Sequence, residues 1–516
     1  MFRVVLYAVA LVVMATGQGH AATAEQCKAL TGMDFGRVQD APTRLMSSVV
    51  VAATDKMPAY CRAEGFVAPQ VGLEIKLPLD NWNGKFLFQG CGAMCGQMLG
   101  AVACDDGVAR GYACATTDMG HKSPAVYDGK WAYNNPDAEI DLGHRATHVA
   151  TLAGKAITAA FYNGELKYAY FRGCSTGGRQ ALVAAQRYPY DYDGIIGGSP
   201  VLYQLMGPPL QLIWGATINF DSSGNVILDS EKLPAVHKAA VAACDANDGV
   251  TDGIIDEPRA CKFDPASMKC AGAANNECLT DAEIDVVRKM YEGPKPTGKQ
   301  SFAPLGLMPG SELTWEGYFK GGKKASNYGF AAEMLRYLVF PEDPGPGYDP
   351  MQFDWARDPQ RMSLGTFSAA NPDMGAFKRG GGKLILFHGW SDSAIMATST
   401  IAYYETVTRT MGGAKAAAEF SRLYLPPGLN HCTGGKGINT VDFLTALEGW
   451  VERGQAPEGL MGYNVTATQP NAALPLGFRP TDAAFARPVF PYPDRAVYDG
   501  SGDWKDAANY KPGKAK

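Results

Sequence analysis

The sequence predicts an α/β protein in which helices cover both faces of a mostly parallel sheet. Two observations lead to this prediction: short apolar runs recur along the chain, and helical stretches lie between several of them. Strands that alternate with helices usually pair in parallel, because a crossover helix returns the chain to the same end of the sheet. The composition of the 516 residues, 46% hydrophobic and 19% charged, is typical of a globular protein with a large core.

The apolar runs, rich in β-branched and aromatic residues, define the predicted strands. These strands lie at 72–79, 85–89, 112–117, 168–172, 194–196, 383–388 and 422–425. The helices predicted between several of them lie at 144–161, 178–187, 398–411 and 441–451.

The alternation lapses between about 201 and 375, where proline, glycine and four cysteines cluster. We predict that this stretch is an insertion between two strands of the sheet and forms a lid. The stretch after about 455 is rich in proline and predicts an irregular surface segment rather than a further domain. The expected division is a sheet domain at 23–200 and 376–516 and a lid domain at 201–375.

The first residues have the three parts of a secretory signal peptide. A positive charge at Arg3 precedes an unbroken apolar run at 4–14, and small residues suited to cleavage follow at 21–24. A membrane anchor is the alternative, but it needs about 20 apolar residues and Gly17 interrupts the run before that. We expect a signal peptide at 1–22 and a secreted or periplasmic protein.

The charge pattern limits the partners. A net charge of −5 without any basic run excludes the electrostatic footprint of a nucleic-acid-binding protein. It also gives no reason for adhesion to an anionic membrane surface, so small uncharged or weakly anionic molecules remain as ligands.

Export changes the interpretation of the twelve cysteines, because an even number in an oxidising compartment predicts disulfides. A zinc site around Cys91 and Cys95 is the alternative. It is weaker, because no second such pair with histidine ligands follows.

The strongest chemical signal lies at 168–187, where a strand leads into Gly173-Cys174-Ser175-Thr176-Gly177 and a helix follows at once. This context is that of a nucleophile elbow, a sharp strand-to-helix turn that exposes a catalytic serine. Here Ser175 would be the nucleophile and the N–H of Thr176 would stabilise an oxyanion. A structural glycine-rich turn is the alternative, because the GxSxG pattern alone is weak.

A serine nucleophile needs a base and an orienting acid, which in this type of fold follow it in the order Asp or Glu, then His. Asp392 and His431 have this order, each in a loop directly after one of the last two predicted strands. His237 lies in a helical stretch of the insertion, where a surface position is the better interpretation. His388 ends a strand, and the loop after it offers Asp392 instead. We therefore predict a Ser175, Asp392 and His431 triad.

Two cysteines flank this triad. Cys174 directly precedes Ser175, and Cys432 directly follows His431. A disulfide between them would tie the elbow to the histidine loop and fix the geometry of proton transfer. In the chain-entropy account, closure of so long a loop is worth about 5 kcal/mol.

The triad and its two cysteines resemble the CS-D-HC motif of the tannase and feruloyl esterase family, in which one cysteine precedes the serine and another follows the histidine. Here the motif is Cys174-Ser175, Asp392 and His431-Cys432. The resemblance extends over nearly the whole chain after the signal peptide. It implies an α/β-hydrolase fold with a large inserted lid domain, and hydrolysis of esters of aromatic acids such as hydroxycinnamic or gallic acid. Hydrolysis of mono(2-hydroxyethyl) terephthalate, which also occurs in this family, is the alternative activity.

The lid segment 244–256 carries closely spaced carboxylates with interleaved glycines, which would repel one another without a hard cation. It is similar to the calcium loop of the family, and a plain acidic turn is the alternative. The resemblance implies a structural Ca²⁺ held by the side chains of Asp245, Asp248 and Asp252 and the backbone carbonyls of Val250 and Ile254. It also implies disulfides of Cys244 with Cys261, Cys270 with Cys278 and Cys27 with Cys61, and leaves Cys91, Cys95, Cys104 and Cys114 unassigned.

The second oxyanion donor is expected in a glycine-rich loop after an early strand, and Gly92 is our choice for this N–H. Trp315, Arg336 and Phe340 are the candidates for an aromatic-acid pocket in the lid. Arg336 and Phe340 are four residues apart and would share a helix face. Arg336 would then bind a carboxylate or phenol while Phe340 stacks on the ring. A surface arginine and a core phenylalanine are the alternative.

The sequence thus predicts an exported serine esterase that acts on small aromatic esters through an acyl-enzyme. Two other classes stay open: a hydrolase of another acyl bond, such as a peptidase, and a non-catalytic calcium-dependent binding protein on the same scaffold. The intact triad argues against the second class.

Overall fold

The computed structural model describes residues 22–98, 100–202, 208–295, 305–362 and 366–514. The predicted signal peptide at 1–22 therefore lies, apart from Ala22, outside the described residues. Within the described ranges, no helix is both long enough and apolar enough to cross a membrane.

A nine-stranded sheet forms the centre of the molecule, with the order β1-β2-β3-β5-β4-β6-β7-β8-β9. Its strands are β1 (Thr43–Val51), β2 (Tyr60–Val67), β3 (Val71–Pro78), β4 (Lys85–Gln89), β5 (Ala113–Thr117), β6 (Tyr168–Cys174), β7 (Gly194–Gly198), β8 (Lys383–Phe387) and β9 (Ser421–Tyr424). The pairs from β5 to β9 are parallel, and those that join β1, β2, β3 and β5 are antiparallel. The predicted mostly parallel sheet is confirmed.

Two strands at the antiparallel edge, β1 and β2, are not predicted from the sequence. Most of their residues are at least partly exposed, and polar residues such as Arg44 and Glu64 interrupt the apolar pattern. Such half-exposed strands do not produce the continuous apolar run that marks a buried parallel strand.

Helices cover both faces of the sheet. The α-helices are α1 (Ala24–Ala29), α2 (Gly100–Ala109), α3 (Pro136–Ile140), α4 (Ala146–Tyr162), α5 (Thr176–Arg187), α6 (Pro208–Thr217), α7 (Leu233–Cys244), α8 (Asp281–Glu292), α9 (Glu316–Phe319), α10 (Ser326–Tyr337), α11 (Gly375–Arg379), α12 (Ala397–Thr410), α13 (Ala414–Ala418) and α14 (Phe443–Arg453). Successive side chains of β4 show the two layers: Phe86 and Phe88 pack in the core under α4, α5 and α12, whereas Leu87 packs in the core under α2 and α14.

The chain between β7 and β8 carries α6 to α11, in the position where the sequence predicts the lid. Within it, α10 packs on α6. The C-terminal stretch differs from the predicted irregular segment, because it contains β11 (Leu460–Asn464), β12 (Phe485–Val489), β13 (Asp494–Tyr498) and β14 (Tyr510–Lys514). Together with β10 (Thr440–Val441), which precedes the stretch, these strands form two small sheets. Pro488 is accommodated because β12 lies at the edge of its sheet.

All twelve cysteines lie in the described ranges, and all are paired. The disulfides are Cys27–Cys61, Cys91–Cys95, Cys104–Cys114, Cys174–Cys432, Cys244–Cys261 and Cys270–Cys278. They include the four pairs expected from the sequence. The four cysteines without an expected partner each pair with a cysteine nearby in the sequence, as Cys91–Cys95 and Cys104–Cys114.

Candidate active site

The elbow predicted around Ser175 forms where β6 meets α5. Ser175 has φ 63° and ψ −122°, in the left-handed region that residues with a Cβ avoid, and its N–H donates to the carbonyl of Gly198 at 3.0 Å. Neighbouring backbones approach closely: a Cβ on Gly173 would lie 2.7 Å from the backbone of Gly177. Glycine is therefore required at this position, and the turn presents the serine at the end of the strand.

Asp392 and His431 follow β8 and β9, so parallel strands deliver both loops to the same edge of the sheet as Ser175. His431 Nδ1 lies 2.7 Å from Asp392 Oδ2. A carboxylate only accepts hydrogen bonds, so Nδ1 donates, and in the neutral ring Nε2 is left to accept a proton. Asp392 Oδ1 accepts the N–H groups of Ala394 and Ile395, each at 2.9 Å, which fixes its orientation.

The interaction between Asp392 and His431 stabilises the charged form of each residue. Burial alone would raise the pKa of Asp392, but the charge and hydrogen bond of His431, with a contribution from His388, hold it well below its ordinary value. Burial alone would lower the pKa of His431, but the charge and hydrogen bond of Asp392 raise it above the ordinary value. Asp392 is therefore ionised, and it stabilises the imidazolium form of His431.

A disulfide joins the serine and histidine loops. Cys174 and Cys432, 258 residues apart in the sequence, are bonded with their Cα atoms 5.9 Å apart. Ser175 and His431, each next to one of these cysteines, line the same cavity. The residues next to Ser175 and His431 in the sequence are thus covalently linked.

Thr176 and Gly92, the predicted oxyanion donors, also line this cavity. Thr176 is the first residue of α5, where a backbone N–H has no acceptor within the helix. Its side-chain Oγ1 donates to the carbonyl of Ala93 at 2.5 Å, which ties the helix to the loop that carries Gly92.

The cavity has a volume of about 570 Å³ and is largely apolar. The lid contributes Leu212 from α6 and Asn327, Phe330 and Met334 from α10. Tyr127 faces them, with its ring centroid 4.8 Å from that of Phe330. Of the described residues that line the cavity, none is a lysine, arginine, aspartate or glutamate. A ligand in this cavity therefore meets apolar and neutral polar groups beside Ser175 and His431.

The family described as tannase and feruloyl esterase matches residues 51–512. The chain belongs to the tannase and feruloyl esterase family. This esterase is 32% identical over 531 residues to a mono(2-hydroxyethyl) terephthalate hydrolase of Piscinibacter sakaiensis, with 89% of this chain and 85% of the relative covered. It is 31% identical to a probable feruloyl esterase of Arthroderma benhamiae, with 87% of this chain and 83% of the relative covered.

Solved structures agree with this assignment. The structure of feruloyl esterase B from Aspergillus oryzae superposes on this chain with a TM-score of 0.81 at 25% sequence identity. The match covers 95% of this chain and 99% of the Aspergillus oryzae chain. A tannin acyl hydrolase from Aspergillus niger shares the fold, with a TM-score of 0.73 at 21% identity and coverage of 96% and 95%. The predicted α/β-hydrolase fold is confirmed, and the protein is a carboxylic ester hydrolase.

The lid residues predicted from the sequence do not line the cavity of this esterase. Trp315 is fully buried, and its Nε1 donates to Ser311 Oγ at 2.9 Å. Arg336 points elsewhere, because its Nε donates to the carbonyl of Tyr348 at 3.0 Å. Phe340 is buried beyond the end of α10 and so does not share a helix face with Arg336. The structure corrects this prediction, because α10 turns Asn327, Phe330 and Met334 toward the cavity instead.

The sequence analysis gave His388 no role in the site. His388 is fully buried, and its Nδ1 lies 2.8 Å from Thr400 Oγ1. Its Nε2 lies 2.9 Å from the carbonyl of Ile395 and 3.2 Å from Asp392 Oδ2. The signal was its position four residues before Asp392, in the turn that orients the carboxylate.

In the segment predicted to bind calcium, backbone N–H groups and an arginine contact the acidic side chains. Asp245 accepts the N–H groups of Asp252 at 3.2 Å and Gly253 at 2.9 Å. Arg487, from β12, forms an ion pair with Asp252. The same Arg487 lies 3.7 Å from the buried Oδ1 of Asp256, which has no hydrogen-bond partner. Among the described residues, no three His, Cys, Asp or Glu side chains form a ready metal shell.

Proposed function

We propose that this esterase hydrolyses esters of aromatic acids through a covalent acyl-enzyme on Ser175. One observation carries the proposal: the serine of a nucleophile elbow shares the wall of a single, largely apolar cavity with His431, whose ring is held by the buried Asp392. An apolar cavity of about 570 Å³ suits an aromatic ring with a small alcohol group attached.

The proposed reaction is a two-step acyl transfer. His431 Nε2 takes the proton of Ser175 as its oxygen attacks the ester carbonyl, and the N–H groups of Thr176 and Gly92 stabilise the oxyanion. Asp392 stabilises the imidazolium, which then gives its proton to the leaving alcohol. Water repeats the sequence on the acyl-enzyme and releases the acid.

The walls of the cavity favour an acyl group without a charge. A free carboxylate would lose its hydration there, and the described lining residues include no lysine or arginine to pair with it. Mono(2-hydroxyethyl) terephthalate carries such a carboxylate, whereas methyl ferulate and methyl gallate are neutral esters. The neutral polar groups of Asn327 and Tyr127 suit phenol and methoxy substituents. Hydroxycinnamic and gallic esters are therefore the preferred substrates.

The test compares matched esters with the Ser175→Ala protein as blank. Methyl ferulate and methyl gallate should be hydrolysed by the wild-type protein and not by the variant. Bis(2-hydroxyethyl) terephthalate and its mono ester share the ring and the alcohol but differ in charge. We expect kcat/KM at least about tenfold higher for the neutral diester, because the charged group is not paired. Equal or faster hydrolysis of the mono ester would instead support the terephthalate activity, and no hydrolysis of any ester would refute the proposal.

We also propose that the chain is exported. The six disulfides and the apolar run at 4–14 support this, because disulfides persist in oxidising compartments. N-terminal sequencing of protein recovered from the medium or periplasm should find residues 1–22 removed, and retention of these residues would contradict the prediction.

A structural calcium ion in the lid is a further proposal. Asp245, Asp248 and Asp252, with the carbonyls of Val250 and Ile254, supply the hard oxygen donors that calcium prefers. One guanidinium, that of Arg487, faces both Asp252 and the buried Asp256, and Asp256 Oδ1 has no hydrogen-bond partner, which supports a cation beside these carboxylates. The ion would hold the loop against the sheet domain and take no part in the chemistry.

Thermal unfolding tests the calcium proposal without reference to activity. Chelation should lower the Tm and added Ca²⁺ should restore it, since about 2.7 kcal/mol is expected at a hundredfold excess over Kd. Asp245→Asn should lose this response, and Asp264→Asn, in an exposed turn of the lid, should keep it. A wild-type Tm that is unmoved by chelation would rule out the ion.

A further inference from the structure

The loop that carries Gly92 contains a short disulfide-closed turn. Cys91 and Cys95 are bonded with a sequence separation of four, and between them Gly92 and Ala93 line the cavity beside Ser175. Both cysteines are buried, and Cys91 also lines the cavity. We refer to this segment, 91–95, as the cysteine turn.

Helix α5 holds the cysteine turn from one side. Thr176 Oγ1 donates to the carbonyl of Ala93 at 2.5 Å, and the N–H of Cys91 donates to Gln180 Oε1 at 3.0 Å. Thr176 and Gln180 both lie on α5, and Gln180 is itself buried and donates to Thr147 Oγ1 at 2.8 Å. The turn and the helix that carries the other oxyanion donor therefore form one connected unit.

His121 holds the cysteine turn from behind. Its Nε2 lies 2.9 Å from the carbonyl of Met94, and because a carbonyl only accepts, Nε2 is the donor. Burial lowers the pKa of His121 to about 4, so the ring is neutral at neutral pH and this hydrogen bond does not titrate there. The ring stacks on Trp131 with centroids 3.6 Å apart.

The backbone of the turn needs this support. Ala93 and Cys95 have φ values of 51° and 61°, in a region that is unfavourable for residues with a Cβ. A disulfide that closes so few residues restricts the unfolded chain far less than Cys174–Cys432, with its separation of 258. Its main effect is therefore local, beside the proposed oxyanion donor.

We propose that the cysteine turn is a positioning element of the oxyanion hole. Its disulfide, together with the Thr176 hydroxyl, holds the Gly92 N–H where it and the Thr176 N–H can both reach one tetrahedral oxyanion. Donors that are fixed before the substrate binds need no reorganisation during the reaction. The inference rests on the proposed acyl-enzyme mechanism and names the structure that keeps its oxyanion donors in place.

The Cys91→Ser/Cys95→Ser double variant tests this role on the neutral ester that the wild-type protein hydrolyses fastest. We expect kcat to fall about tenfold to a hundredfold with KM within about twofold, because the oxyanion forms only in the transition state. The inhibition constant of an arylboronic acid, whose tetrahedral adduct places an oxygen in the oxyanion hole, should rise by a similar factor. The inhibition constant of the product acid should not change.

Cys270→Ser/Cys278→Ser is the matched control, because it also removes a disulfide of small sequence separation, one outside the cavity lining. It should leave kcat, KM and both inhibition constants within about twofold of the wild-type values. Near-ultraviolet circular dichroism shows whether each variant is folded.

Thr176→Val gives a second test that leaves every cysteine in place. It keeps the shape and the backbone N–H of Thr176 but removes the hydrogen bond to Ala93. We expect about a tenfold loss of kcat at unchanged KM, and this variant decides the question if the double cysteine variant does not fold. Wild-type kcat in a folded variant would overturn the proposal, as would a loss that appears equally in KM and in affinity for the product acid.

Failure of the proposed function has a different signature. In that case the wild-type protein itself shows no ester hydrolysis that Ser175→Ala abolishes, and the positioning role falls with it. When the wild-type protein is active and the variants are not impaired, only the positioning role is refuted.

Discussion

The sheet edge and the lid wall of the cavity are held by different kinds of interaction. At the sheet edge, His431 and Asp392 form a 2.7 Å hydrogen bond, and a disulfide joins the loops of Ser175 and His431. On the lid wall, Phe330 and Met334 meet the cavity through apolar contacts on α10. Directional bonds fix positions to a fraction of an ångström, whereas apolar packing tolerates substitution if volume is kept.

This difference separates the reaction from the choice of substrate. A change at the sheet edge should alter kcat for every ester, because in the proposed mechanism it acts on groups that take part in bond making. A change on the lid wall should alter KM and the preference among esters, because it acts on the fit of the ring.

The largest effect is expected from Ser175→Ala. Removal of the nucleophile should lower kcat about 10⁶-fold while the product acid still binds, because the lid wall is unchanged. Hydrolysis assays with inhibition by the product acid measure both quantities. Turnover within a hundredfold of wild type in a folded variant would show that Ser175 is not the nucleophile.

A smaller effect is expected from pH. His431 must be neutral to accept the serine proton, and Asp392 raises its pKa above the ordinary value of 6.5. We therefore expect kcat/KM to fall about tenfold per pH unit on the acid side of a midpoint that lies above 6.5. Asp392→Asn removes the raising charge, so its acid limb should move to lower pH while kcat falls about 10⁴-fold. An acid limb that stays in place would mean that another group controls it.

Next in size is the Cys174→Ser/Cys432→Ser double variant. We expect about a tenfold loss of kcat, because the serine and histidine loops are no longer tied, and a loss of roughly 3–5 kcal/mol of unfolding free energy. Cys27→Ser/Cys61→Ser, which removes a disulfide far from the cavity lining, should lose stability and keep its kcat. An unchanged kcat in the Cys174→Ser/Cys432→Ser variant would show that this disulfide stabilises the fold and does not affect catalysis.

The smallest effect is expected from Phe330→Ala on the lid wall. Loss of ring contact should raise KM about fivefold for aromatic esters and change kcat less than twofold. Phe340→Leu is the control, because Phe340 is buried outside the cavity and should leave KM unchanged. A larger change in KM for Phe340→Leu than for Phe330→Ala would show that Phe340, and not Phe330, contacts the substrate.

The two regions also differ in how well the sequence predicts them. The elbow is a local feature, since Gly173, Ser175 and Gly177 lie within five residues between a strand and a helix, and the order of parallel strands then brings Asp392 and His431 to the same edge. The lid side chains that line the cavity lie on α6 and α10, and which face of each helix meets the cavity depends on how these helices pack on the rest of the chain. The local sequence does not specify that packing.

The end of α10 before Phe340 follows from the sequence. A residue before proline is disfavoured in helical conformation, and Phe340 directly precedes Pro341, so it does not continue the helix that carries Arg336. The pairing of Cys91 with Cys95, in contrast, depends on a turn with two residues at positive φ, which the sequence does not specify.

The Cys174–Cys432 disulfide has a consequence for the integrity of the chain. Every residue of the lid lies between its two half-cystines, so one proteolytic cut in the lid leaves two fragments that stay covalently joined. A nicked molecule would therefore run as a single species in a denaturing gel until it is reduced, and the loops of Ser175 and His431 would remain attached. A cut in the lid thus does not separate these two loops from each other.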